Sequence, residues 1–430
     1  MFWVGVGVFL LGLLVSIAWH ELGHLLPAKR FGVLVQQYMV GFGPTLWSRV
    51  RGGTEYGVKA IPLGGYIRMV GMYPTDAQLP AATASRRVVG DRRGLRRWSR
   101  EIAAEAREFS ASEIAAGQES RTFSALPVRR RIVVMLGGPF ANLVLGFVLL
   151  AIAFCGIGLP STTTTIAAVS PCVATGGAAC TDADDPSPAA VAGIEPGDVV
   201  VAWDGTPIAD WPDLQERIVT GEAAPAVVTV ERAGTRLDLP ISPTLVPAAE
   251  GTDPVPVVGI TPVRELAPVS PGEFLGIFGD TVAQTFGLIV TLPVQLFDLV
   301  VALVTGGERD AGVIGIVGVG RIAGEATGTD NVFGVTGSVL LLLQLLGSLN
   351  LALFAFNLIP LLPLDGGHVA GALWEAVRRR VARWRGRPDP GPVDTARALP
   401  LTYVVIGAFL VMFVVLTVAD LVAPITLTGG

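Results

Sequence analysis

Charge is thin in this chain of 430 residues, and histidine, lysine and cysteine are scarce. Only 16% of the residues are Asp, Glu, Lys or Arg, where soluble domains carry about 25%. From Met1 to Trp19 there is no charged side chain at all. This excludes an ordinary soluble protein and points to a membrane protein with one soluble domain attached. The cysteines, Cys155, Cys172 and Cys180, are too few for a metal-binding cysteine framework. Lysine occurs only at Lys29 and Lys59, so the basic charge is almost entirely arginine. Histidine occurs only at His20, His24 and His368, so any imidazole chemistry must draw on these. No nucleic-acid partner is expected.

What the chain does have is long apolar runs. About 20 residues of helix cross the hydrocarbon of a bilayer. Three clear runs cover 2–28, 132–159 and 401–423, and a fourth covers 335–363 and leads into "FNLIPLLPLDGGH". A fifth, 274–304, is apolar but interrupted by Asp280, Gln284, Pro293, Gln295 and Asp298. The first run lacks the basic start of a signal peptide and exceeds its roughly 7–15-residue core. It is therefore read as a span. No internal repeat is visible.

Arginine and lysine set the orientation. Residues 29–131 hold 18 of the 31 basic residues and 378–397 hold another 7, while 161–273 hold four against 16 acids. The positive-inside rule puts the first two segments in the cytoplasm and the third outside. Segment 161–265 reads as a soluble β-rich domain: "VVTVERAGTRLDLPI" (227–241) alternates and turns like a hairpin. Cys172 and Cys180 fall on this oxidising side, where a disulfide and two free thiols are both open. Residues 76–122 read as a basic cytoplasmic linker with an amphipathic helix near 99–108.

The first span ends in His20-Glu21-Leu22-Gly23-His24. H-E-x-x-H on a helix puts two imidazoles one turn apart on one face, with a carboxylate between them. That donor set suits zinc, which takes nitrogen and carboxylate ligands and keeps one position open. Ionisable groups at membrane depth are costly and usually functional. A third ligand is needed. Asp365 is preferred, because the prolines and glycines around it break a span, and irregular backbone at that depth must line a protected cavity. Glu101 and Glu105 on the linker helix are the alternative ligands, and would suit a zincin with its site in the cytoplasm. His368 is expected behind the ligands or near the cytoplasmic surface. For Asp365 to meet His20 and His24, the 335–363 run must also cross inward. The 274–304 segment is then no simple crossing, but lies along or dips into the outer face.

"EYGVKAIPLGGYIRMVGM" (55–72) is expected to form a β-hairpin turning at Gly64-Gly65, with a free edge near the metal. An edge strand can hold a substrate in extended form and satisfy its backbone groups where lipid cannot. Asn142, in "GGPFANL" (137–143), is polar at membrane depth and is expected to bond the hairpin or a neighbouring helix. Asn357 is placed to hold a substrate backbone or an oxyanion, or to serve as glue between helices.

These residues together resemble the site-2 proteases, the zinc intramembrane metalloproteases of the bacterial RseP type. The matching motifs are HELGH (20–24), PLGGY (62–66), GGPFAN (137–142), a PDZ-like AGIEPGDVVVAWDG (192–205) and NLIPLLPLDGGH (357–368). They run through nearly the whole chain in the family's order. The resemblance implies that His20, His24 and Asp365 bind zinc and that Glu21 is the catalytic acid and base. Candidate substrate-binding residues are Asn357, Gly64, Gly65, Tyr66 and Asn142. The implied fold is a polytopic α-helical membrane protein with four transmembrane helices (1–28, 132–160, 335–366 and 401–423). To these it adds a membrane-reentrant β-hairpin at 55–72, one extracytoplasmic PDZ-like α+β domain at 161–265, an outer-face segment at 270–330 and a basic cytoplasmic loop at 378–397. The implied setting is the inner (plasma) membrane, with the site near its cytoplasmic side within the lipid bilayer. The implied partner is a single-pass membrane protein, such as an anti-sigma factor already clipped outside. One PDZ-like domain stands where the best-known bacterial relative has two, and the linker 76–122 is longer than usual. The competing class is a membrane-anchored PDZ scaffold with a degenerate metal site.

Overall fold

The computed structural model describes residues 1–75, 78–79, 95–173, 180, 184–246, 254–307, 309, 312–328 and 333–425. Residues 76–77 and 80–94 of the linker 76–122 therefore lie outside the described residues, and the helix expected near 99–108 is present as Leu95–Ser112. In chain order the first elements are α1 (Phe2–Arg30), β1 (Val35–Arg51), β2 (Thr54–Met69), α2 (Leu95–Ser112) and α3 (Val128–Ala151), which closes on a π-helical turn over Ile152–Ile157. There follow β3 (Leu159–Val169), α4 (Pro188–Ala192), β4 (Val199–Trp203), β5 (Thr206–Pro207), α5 (Trp211–Thr220), β6 (Ala226–Arg232), β7 (Thr235–Ile241), β8 (Thr244–Val246), β9 (Val255–Val257) and β10 (Ile260–Ala267). The last are α6 (Pro271–Thr305), α7 (Ile316–Ala326), α8 (Gly334–Asn357), α9 (Asp365–Trp384) and α10 (Leu399–Val422). The chain divides into two compact units, one of Met1–Gly156 with Ser270–Gly430 and one of Ile157–Val269.

Among the described residues, five helices of the first unit are long and apolar enough to cross a membrane: Phe2–Arg30, Val128–Ile157, Pro271–Thr305, Gly334–Asn357 and Thr395–Val422. The 274–304 run is thus one continuous helix of 35 residues, its polar side chains and Pro293 included. Small residues let these helices approach, as in lipid they must, since apolar burial gives little drive there. At the crossing of α1 and α3, a Cβ on Gly23 would lie 2.2 Å from the Gly137 carbonyl oxygen. The reverse distance, from a Cβ on Gly137 to the Gly23 oxygen, is 2.1 Å. The two backbones touch, and only glycine permits it. Further along α1, buried Asn350 of α8 donates to the Ser16 hydroxyl at 2.9 Å.

The hairpin differs from the sequence expectation. Its turn is Gly52-Gly53, both at positive φ, rather than Gly64-Gly65, and its strands begin at Val35. Period-two reading missed the first strand because β1 folds back on itself. Gln37–Val40 pairs antiparallel with Gly65–Arg68 on one side. On the other side the partners of Gln37–Val40 are Glu55–Val58, with numbers rising together. The two ribbons therefore make four strand segments, with Ile61–Met69 at one edge. Gly64 adopts φ 126° within that edge, where it allows a kink instead of a turn.

Helix α9 is tied to α3 by charge. Glu375 has no exposed surface and bonds Arg131 at 2.6 Å and Arg379 at 3.0 Å, while its other oxygen accepts from the Val393 backbone.

In the second unit a sheet runs in the order β10-β3-β4-β6-β7, with β5 beside β4. Alternation in β6 puts Val228 and Val230 inside with Val200, Trp203, Trp211, Leu214 and Ile218. α5 is capped by the Asp210 side chain, which accepts from the Asp213 backbone N–H. Cys172 and Cys180 form a disulfide, which resolves the alternative left open above, and Cys155 is free.

Candidate metal centre

Two elements of the first unit bring three side chains to one point. His20 and His24 are one turn apart on α1, and Asp365 is the first residue of α9. The chain reaches Asp365 through Leu358–Leu364, and the glycines after it let that segment fold back. A Cβ on Gly366 would lie 2.3 Å from the Ile359 carbonyl oxygen. A helix N-terminus also favours a carboxylate at its first residue.

The Nε2 atoms of His20 and His24 are 3.2 Å apart. Oδ2 of Asp365 lies 3.3 Å from the first and 3.2 Å from the second. The triangle is nearly equilateral. Tetrahedral zinc with bonds of about 2.0–2.1 Å has ligand-to-ligand edges of about 3.3–3.4 Å, so the donors fit the ion. His24 Nδ1 lies 2.8 Å from the Val134 carbonyl oxygen. A carbonyl can only accept, so Nδ1 carries the proton and the neutral ring presents the Nε2 lone pair inward. Oδ2 of Asp365 is buried and has no hydrogen-bond partner. Lone pairs thus face one another at contact distance, a set that calls for a cation. His24 is buried against α3, where a Cβ on Gly138 would lie 2.2 Å from its Nε2.

Glu21 follows His20 on α1, next to the edge of the hairpin. It accepts from the backbone N–H of Ile67, and a Cβ on Gly65 would fall 3.1 Å from its Cγ. Tyr38 on β1 donates to the Ala18 carbonyl at 2.6 Å and so fixes the sheet to α1. Gly64 packs beside Phe42, and Tyr66 stacks on the same ring with centroids 6.2 Å apart. Asn142 is fully buried and its amide nitrogen sits 3.1 Å from His20 Nδ1. Asn357 ends α8 and donates to the Leu353 carbonyl. His368, one turn past Asp365, lines a small cavity of about 20 Å³ with Ser124, Arg131 and Val393. Among the described residues, the one grouping of side chains able to share a metal is His20, His24 and Asp365. Glu101 and Glu105 are exposed on α2, outside that grouping.

Sequence reasoning missed the Val134 carbonyl, Gly138 and the Ile67 N–H. Two of these are backbone groups, which no residue type announces. Gly138 was in view inside GGPFAN, but its task is to leave room for a ring.

A multi-pass membrane chain with this donor set and HELGH belongs with the membrane metalloproteases, and the comparisons agree. The family model described as Peptidase family M50 matches residues 8–387. The chain belongs to that family, the site-2 proteases, and is a zinc metalloprotease. It is 33% identical to "Zinc metalloprotease Rip1" of Mycobacterium tuberculosis, covering 99% of each chain. The same identity and coverage hold for "Zinc metalloprotease Rip1" of Mycolicibacterium smegmatis. To "Metalloprotease MmpA" of Caulobacter vibrioides it is 28% identical over 87% of each chain.

Proposed function

We propose that the chain is an intramembrane endopeptidase that cuts the membrane-spanning segments of single-pass proteins, with His20, His24 and Asp365 as zinc ligands and Glu21 as acid and base. The observation that carries this is the triangle of three lone-pair donors, two of them on a helix apolar enough to lie in lipid and the third a short loop beyond the end of another. When bound, zinc supplies Lewis acidity to a peptide carbonyl and acidifies water. Glu21, beside the donors, takes a proton from the attacking water and returns it to the leaving amide nitrogen. The Gly65–Ile67 edge lies against Glu21. There it gives an unwound substrate a strand to pair with, and keeps the scissile bond extended. Helix-breaking residues in the substrate should therefore speed cleavage. Gly64 and Tyr66 shape this edge, and Asn357 assists at the substrate backbone.

His20 and His24 precede Lys29-Arg30, and Asp365 precedes the Arg378–Arg380 cluster. Both then sit near the cytoplasmic face when α1 and α8 cross inward. This favours four crossings, with Pro271–Thr305 along the outer face of the inner membrane. The second unit is then extracytoplasmic. We assign it a PDZ-like role, gating substrate by size or reading a newly made C-terminus. Anti-sigma factors already clipped outside the membrane are the substrate class the family implies.

The test is cleavage of a single-pass substrate by purified protein. Glu21→Gln is expected to keep zinc and lose cleavage, and Asp365→Ala to lose both. Full activity in Glu21→Gln would overturn the mechanism.

A further inference from the structure

The surroundings of His20 point to a task for Asn142. We propose that Asn142 is a positioning residue whose side-chain oxygen accepts from His20 Nδ1–H and so turns the Nε2 lone pair toward the metal. This rests on the zinc reading above. Asn142 is fully buried, and its amide nitrogen stands 3.1 Å from His20 Nδ1 while its oxygen has no partner. The two ends of a carboxamide are nearly the same shape, so the hydrogen-bond network decides which is which. With nitrogen toward the ring, the amide donates and Nδ1 must hold a lone pair. The ring proton then sits on Nε2, the atom that faces His24 and Asp365 at 3.2 and 3.3 Å. That proton occupies the place where a ligand lone pair is required. With the amide turned half round, Nδ1–H donates to Oδ1, the orphaned oxygen gains its partner, and Nε2 is free to bind.

His24 shows the same arrangement without ambiguity, because its Nδ1 faces the Val134 carbonyl at 2.8 Å. Val134 and Asn142 both lie on α3, eight positions apart. Eight residues are a little over two turns, so both face α1. The pairs run in opposite senses, His24 with Val134 and His20 with Asn142, with the Trp19 indole donating to the Ala141 carbonyl beside them. One face of one helix therefore orients both imidazoles, and GGPFAN acquires a role: its glycines bring α3 close and its asparagine orients the ring. Outer partners of this kind change metal affinity by about 10–100-fold when removed.

The test uses the purified full-length chain, with zinc retention measured by chelator competition and the site read by the visible spectrum of the cobalt form. Asn142→Asp keeps an acceptor and loses the donor, and is expected to hold zinc within a few-fold of wild type. Asn142→Leu has no acceptor and is expected to lose about 10–100-fold in affinity and to alter the cobalt spectrum. Wild-type affinity in Asn142→Leu would overturn the proposal. So would a folded Asn142→Asp that loses zinc, since that is the behaviour of a donating amide, and this arm stands even where Asn142→Leu fails to fold. Asp365→Ala separates the two readings. If wild type binds no zinc that Asp365→Ala loses, the metal assignment itself fails, whereas normal binding in Asn142→Leu removes only the role of Asn142.

Discussion

Gly138 lacks a side chain, and the His24 ring uses the space. Since a Cβ there would sit 2.2 Å from Nε2, Gly138→Ala must push the imidazole or the helix aside. A misplacement of about 1 Å can cost about 100-fold in rate. Gly138→Ala is expected to lower both zinc content and cleavage by at least about tenfold. In the second unit, Asp198 is almost fully buried, accepts from Arg232 at both oxygens at 2.8 Å, and takes the Glu195 backbone N–H. The hydrogen bonds from Arg232 hold its carboxyl below the usual carboxylate range. A group with a depressed folded pKa stabilises fully above its unfolded pKa, about 3.9 for Asp. That contribution is lost as pH falls through the folded value. Melting followed by the fluorescence of Trp203 and Trp211 should therefore weaken below about pH 4. In Asp198→Asn that acid slope should be shallower. Single residues were legible where their chemistry is rare: in a chain with three histidines, HELGH declares itself. Gly138 and the Val134 carbonyl contribute shape and a backbone acceptor, which leave no mark in residue type.

At the scale of elements, apolar length was readable and strand register was not. The runs around α1, α3, α8 and α10 stand out because lipid demands unbroken apolar helix. The hairpin was harder. Its alternation at 55–72 was visible, but Gly64-Gly65 mimicked a turn, while Gly52-Gly53 with positive φ made the real one. Pairing of Gln37–Val40 on both sides is a long-range choice of register that period-two alternation does not encode. Helix α6 is the element on which the four-crossing proposal turns. Cysteines placed at Gly272 and Gly306, near its two ends, are expected to react alike with a membrane-impermeant thiol reagent applied from outside in a Cys155→Ala chain. Labelling of the two from opposite faces would mean that Pro271–Thr305 crosses.

At the scale of the whole molecule, the first unit is held by residues far apart in sequence, and two sites show it. Glu375 is buried between Arg131 and Arg379, joining the start of α3 to α9, which carries Asp365. Removing one partner of a buried ion pair costs about 3–5 kcal/mol, because the other charges stay buried without it. Glu375→Ala is expected to lower unfolding stability in detergent by that amount, and to loosen zinc with it. The candidate metal centre is the second such site. His20 and His24 stand near the start of the chain and Asp365 near its end, and α3, which packs against both α1 and α9, brings them together. The sequence already favoured this grouping: a carboxylate among prolines and glycines at the end of an apolar run was preferred to Glu101 and Glu105 because lipid tolerates broken helix only where protein protects it. The most direct test is metal analysis of the purified chain and its Asp365→Ala, Glu105→Ala and Glu21→Gln variants. One zinc per chain is expected in wild type, Glu105→Ala and Glu21→Gln, with little or none in Asp365→Ala. Full zinc in Asp365→Ala, or its loss in Glu105→Ala, would contradict the account.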